Sequence, residues 1–164
     1  LPGTAVGFIS ALEKAKVAYA ARAIWTESGT LCGLTTKDGK SPTSVWWVYE
    51  AYSDATGLVY DVAEPKDIMA IAVAEKRRSS AVILIGNQSN AKRAVKLVVR
   101  NLSKAGLSIE KLLVRKRHIR NSGSEALKEP KFLPATFSKT DKDTLTIEVG
   151  SLGGYEALEL TMSE

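Results

Sequence analysis

Apolar positions recur every three or four residues near the start of the chain and every second residue over most of its remainder. Phe8, Leu12, Ala15 and Tyr19 mark one face of a helix that Thr4 can cap and that ends near Lys16. Over residues 17–25, VAYAARAIW, the side chains become small and apolar, with Arg22 the one charge. That composition suits a strand buried on both faces of a parallel sheet. A polar loop follows. Ser41 as N-cap and Pro42 as first helical residue then open a second helix. Val45, Val48, Tyr49 and Tyr52 form its face, and Gly57 stops it. The order α-β-loop-α is the repeating element of α/β folds. With one strand and no partner for it, residues 1–57 do not make a complete fold.

The period changes at residue 58. TLTIEV (144–149) alternates strictly, pointing Leu145, Ile147 and Val149 inward, and AVKLVVR (94–100) does nearly the same with Val95, Leu97 and Val99. DIMAIAVAE (67–75), AVILIGN (81–87), KLLVRKRHI (111–119) and YEALELTM (155–162) bring the strands to at least six. Short turn signals separate them, the spacing of an antiparallel sandwich. Residues 124–137, with Pro130 and Pro134, read as a longer irregular connection. The fold class expected is therefore mainly β with an N-terminal α/β segment. It divides into an α-β-α unit (1–57), a linker (58–66) and an antiparallel β-sandwich (67–164).

Composition narrows the chemistry. The 164 residues are 45% hydrophobic and 25% charged, and no apolar run reaches the roughly 18 residues of a membrane helix. The chain opens on Leu1-Pro2-Gly3 without a methionine, which suggests a processed or trimmed N-terminus. Cys32 and His118 are the only residues of their types, so neither an intrachain disulfide nor a Cys/His zinc site can be assembled. No cofactor motif is present. Two sequons, at Asn87 and Asn101, would accept glycans in a eukaryotic secreted protein.

The net charge of +5 is carried wholly by residues 58–164, since residues 1–57 hold five basic and five acidic side chains. The densest runs are RKRHIR, Arg115 to Arg120, and KRR, Lys76 to Arg78. Arg115, Lys116, Arg117 and Arg120 are accordingly candidates for a polyanion-binding surface. The competing reading is a strand edge kept soluble by its cations. No aromatic residue lies inside either run, which disfavours nucleic acid as the partner.

One stretch carries a resemblance. An apolar strand ending in AIW (23–25), a polar loop, GL (33–34), a KDG turn (37–39), a proline and the helix VWWVYEAYSDATG (45–57) resemble the eighth β/α unit of the (β/α)8 barrel in clan A retaining glycoside hydrolases. The strands after it resemble the β-sandwich that follows the barrel in several such families, the β-xylosidases and α-L-iduronidases among them. The resemblance implies that Trp25, at the rim of the barrel, stacks on a sugar ring, with Glu27 hydrogen-bonding a hydroxyl beside it. Trp46, Trp47, Tyr49 and Tyr52 then pack the seam between barrel and sandwich.

Retaining hydrolysis needs two carboxylates about 5–5.5 Å apart. In this clan they stand on the fourth and seventh barrel strands, so the catalytic residues are expected outside this chain. The reading is a C-terminal part of a glycoside hydrolase, inactive alone, without cofactor or metal. Its partners are carbohydrate and the remainder of a barrel or a second chain, and an extracellular location goes with that reading. Two alternatives stand beside it: a self-sufficient carbohydrate-binding sandwich, or a basic protein that binds nucleic acid or another polyanion.

Overall fold

The computed structural model describes residues 1–20, residue 26 and residues 33–164. Two helices, α1 (Pro2–Lys14) and α2 (Ser44–Asp54), precede nine strands. These are β1 (Leu58–Tyr60), β2 (Ile68–Glu75), β3 (Ser80–Asn87), β4 (Arg93–Arg100), β5 (Leu113–Ile119), β6 (Leu133–Pro134), β7 (Phe137–Asp141), β8 (Thr144–Leu152) and β9 (Ala157–Ser163). The six strands expected from the sequence are all present. The short β1, β6 and β7 are additional: β1 falls in the expected linker, β6 in the expected irregular connection, and β7 starts at its last residue.

All pairings are antiparallel. One sheet has the order β1-β2-β3-β9-β5-β6 and the other β4-β8-β7. The two sheets face each other across a core of Ile68, Ile83, Ile85, Leu158, Leu160 and Met162 on the larger side and Leu145, Ile147, Val149 and Leu152 on the smaller. Each such side chain, taken out of water, contributes about 1.5–3 kcal/mol. Val95, Leu97 and Val99 of β4 pack against this core while staying partly exposed, because β4 is the edge of the small sheet.

The large sheet is buried on its other face too. Ile71, Val73, Leu84 and Ile119 meet Val6 and Ile9 of α1 and Val45, Val48 and Ala51 of α2, with Leu34 between. The helices therefore cover the sandwich, giving three layers: helices, large sheet, small sheet. This placement explains the runs of apolar residues in β2 and β3, which have no solvent face to alternate with.

Several local expectations need correction. Helix α1 starts at Pro2, with Leu1 as its cap position, so Thr4 lies within the helix. Its buried face is Ala5, Val6, Ile9 and Ser10; Phe8 is 44% exposed and Tyr19 95%. The small residues won because α1 sits almost directly on β3. A side chain at Gly86 would meet Val6 Cβ at 2.8 Å and the carbonyl of Gly3. Residues 17–20 are irregular and exposed rather than the start of a buried strand, and residues 21–25 of that expected strand lie outside the described residues.

The cap of α2 is Thr43, one turn element later than Ser41. Its hydroxyl accepts from Val45 N and donates to Gly33 O at 2.7 Å. Pro42 consequently lies before the helix. Gly57 does not stop α2, which ends at Asp54; it makes the turn into β1 at φ +127°, its Cα against the Ala74 carbonyl.

Candidate functional site

The polar loop before α2 is built by its own side chains. Thr36 N donates to Ser41 O at 2.8 Å, and Gly39, at φ +73°, donates to Thr36 O at 2.8 Å. Asp38 closes the turn, accepting from Thr36 Oγ1 at 2.6 Å and from Lys40 N at 3.2 Å. The Thr36 hydroxyl, then the Lys40 amide, hold its carboxyl below the ordinary carboxylate range.

This closed turn, with α2 behind it, leaves a cavity of about 510 Å³ lined by Thr26, Thr35, Gly39, Lys40, Ser41, Pro42 and Trp46. Its lining combines an apolar indole with three hydroxyl side chains and one ammonium. Trp25 and Glu27, the expected sugar-binding pair, lie outside the described residues; Thr26, between them in sequence, lines the cavity. Trp46 reads from sequence as seam packing. In the structure it also borders this cavity. Trp47 donates from Nε1 to Leu127 O at 2.8 Å, linking α2 to the connection between β5 and β6.

The basic run on β5 is unevenly buried. Arg115, His118 and Arg120 are exposed and Lys116 is half-buried, its Nζ 3.4 Å from Val149 O. Arg117 is turned inward, 3% exposed. Its Nη2 donates to Glu50 of α2 and its Nε to Glu159 of β9. Burial works against the Arg117 charge, but the Glu50 and Glu159 carboxylates outweigh it and hold the guanidinium above its ordinary value. The Phe132 ring covers the group, with the Arg117 and Arg115 guanidinium carbons 4.8 and 4.9 Å from its centroid. The structure thus leaves Arg115 and Arg120 exposed, holds Lys116 half-buried and ties Arg117 into the helix–sheet contact.

Glu50 and Glu159 share one arginine, yet they are not free to act on a substrate: each spends an oxygen on Arg117, and Glu159 is 4% exposed. His118 is likewise tied to a carboxylate. Its Nε2 lies 2.7 Å from Glu156 Oε2, which also accepts from Gly153 N at 2.6 Å, fixing the turn between β8 and β9. Among the described residues no group of three His, Cys, Asp or Glu side chains could hold a metal ion, and no helix is long and apolar enough to cross a membrane.

No family model matches the sequence, and no curated protein does either. Solved structures do match in fold. N2152 from Neocallimastix frontalis aligns over 99% of this chain and 41% of its own, at a TM-score of 0.79 and 19% identity. The glycoside hydrolase family 30 subfamily 8 xylanase Xyn30A from Clostridium acetobutylicum aligns over 99% and 39%, at 0.57 and 13%. AbfB, a family 51 α-L-arabinofuranosidase from Bifidobacterium longum, aligns over 98% and 34%, at 0.59 and 15%. The chain therefore shares its fold with part of these proteins, two of them glycoside hydrolases, and spans about two-fifths or less of their length.

Proposed function

We propose that this chain is the C-terminal part of a clan A retaining glycoside hydrolase: the last β/α unit of the barrel (1–57), a short linker (58–66) and the accessory β-sandwich (67–164). The observation that carries the reading is the likeness over nearly the whole chain to a fraction of enzymes that act on xylan and arabinofuranosides. The loop cavity supports it, since an indole and three hydroxyl side chains, among them that of Thr26, line it. On this reading the chain closes the barrel and supplies Trp25 as a sugar platform with Glu27 at its side. Helices α1 and α2 seat the barrel on the large sheet. The catalytic carboxylates stand on the preceding barrel strands, so the chain alone hydrolyses nothing.

The test is the coding sequence upstream of Leu1 together with the activity of the longer product. Two strand-end glutamates before residue 1, and hydrolysis of xylan or an aryl arabinofuranoside by the longer protein but not by this chain, support the proposal. A reading frame without that carboxylate pair, or a longer product inert on a panel of glycosides, overturns it.

A further inference from the structure

The cations that the sequence reading left aside, Lys76 to Arg78, come together with others at one end of the sandwich. The β2–β3 turn (76–79) lies there, because Glu75 pairs with Ser80 and Ser80 in turn with Ser163 at the end of β9. The connection from β4 to β5 crosses the same end: a side chain at Gly106 would meet the Lys76 carbonyl at 2.7 Å and its Cγ at 3.2 Å. The β7–β8 turn joins them through Asp143, which accepts from Ser103 N at 2.7 Å and Ser103 Oγ at 3.1 Å. Lys76, Arg77, Arg78, Lys104, Lys111 and Lys142 are all exposed on these turns. None forms an ion pair among the described residues.

Acidic residues are present at the same end, but each is committed to holding a turn. Glu75 accepts from Arg77 N, Asp141 from Asp143 N, Asp143 from Ser103 and Glu164 from Ser108 N. Glu110 accepts from Lys139 and from the Ser108 hydroxyl, which pull its carboxyl down to about 2. The acids keep their charge but are tied back to the loops by these bonds, whereas the six cations form no ion pair among the described residues.

We infer that this end of the sandwich, centred on Lys76, Arg77 and Arg78, is a binding surface for an acidic polysaccharide, a polymer bearing carboxylates along its sugar chain. Two features choose that partner. The cations spread across turns of both sheets, which in a sandwich stand about 10 Å apart, so they suit a long polyanion better than one small anion. No aromatic side chain occurs in residues 76–79, 101–112 or 141–143, so bases would have no stacking platform and single-stranded nucleic acid is disfavoured. The choice of a polysaccharide over other polyanions rests on the glycoside hydrolase reading above. The charge argument stands without it.

The experiment measures retention of the chain on polygalacturonate across a salt series, with neutral xylan, single-stranded DNA and phosphatidylserine vesicles as the other probes. Three proteins are compared: the unaltered chain, Lys76→Gln/Arg77→Gln/Arg78→Gln, and the control Arg115→Gln/Arg120→Gln, which removes exposed cations elsewhere. The triple variant should bind polygalacturonate about tenfold more weakly and with a shallower salt dependence, and the control should bind nearly as the unaltered chain does. Equal losses in both variants, or no salt-dependent retention at all, overturn the surface. Tighter binding to DNA or to the vesicles than to polygalacturonate overturns the partner. Because the hydrolase reading is judged by activity of the longer protein, either proposal can fail alone.

Discussion

Arg117 on β5 and Glu50 on α2 form a polar contact between the helix layer and the sheet, and the same guanidinium reaches Glu159 on the neighbouring strand β9. One side chain thus holds together three elements that are far apart in sequence. Breaking such a buried pair from one side leaves a charge without compensation. Arg117→Ala should therefore lower the unfolding free energy by about 3–5 kcal/mol in urea titration. Glu50, whose side chain is 34% exposed, can turn to water, so Glu50→Gln should cost only about 1 kcal/mol. If the double replacement Arg117→Met/Glu159→Leu is as destabilising as Arg117→Ala, the buried charge is not the cause.

Asn87 is fully buried at the end of β3, with its amide donating to Ala91 O at 2.7 Å and Gly153 O at 2.8 Å and its oxygen accepting from Ser89 N at 3.0 Å. Asn87→Ala strands those carbonyls and should cost about 2–3 kcal/mol, while Asn101→Ala, on an exposed turn, should cost far less. Urea midpoints of the two variants check this. A glycan on Asn87 is incompatible with the fold, so in a glycosylating host the folded protein should carry sugar at Asn101 only, as peptide mass mapping would read.

Gly86→Ala should push α1 off β3, since the added methyl meets Gly3 and Val6. The expected loss is about 1–3 kcal/mol by thermal or chemical unfolding. A neutral result would mean that the helix is free to lift away.

Tyr52 donates its phenol proton to Glu13, and burial first, then that carboxylate, pushes its pKa up from 10.0 to about 12. The raised value means that the folded state favours the neutral phenol. The resulting stability is complete below pH 10 and is lost as the pH rises through about 12. A tyrosinate absorbance titration should show one late-ionising group that Tyr52→Phe removes, and Tyr52→Phe should flatten the alkaline loss of stability.

Trp25→Ala, made in a longer protein that hydrolyses glycosides, should raise KM with little change in the unfolding midpoint. If the variant mainly unfolds, Trp25 is part of the core and the sugar platform is wrong.

Strands with a wet face or a dry one were readable from their period, and all six long ones lie where alternation puts them. The three short strands were not, because two to five residues carry no period; Leu133–Pro134 joins β5 only through register with Arg115 and Lys116. The buried face of α1 was misread for a physical reason. Phe8 and Leu12 look like core by size, but Gly86 allows an approach so close that only Ala5, Val6, Ile9 and Ser10 fit. The site was half legible. The KDG turn and its neighbouring tryptophans are visible in the sequence, whereas the inward turn of Arg117 depends on which face of β5 the helices cover. A basic run is indifferent to that choice.

The order of strands in the large sheet also sets a timetable. β9 stands between β3 and β5, with Ser80 opposite Ser163 and Ala157 opposite Ile119, so its closure brings together residues 83 and 38 positions apart. The β2–β3 hairpin can form locally, but its β3 edge stays open until β9 arrives. Assembly of the sheet should therefore be slow, on the order of milliseconds to seconds. During that interval an apolar edge is available to any other strand, including one from another molecule. Dilute conditions and early access to β9 are what a refolding protocol has to provide.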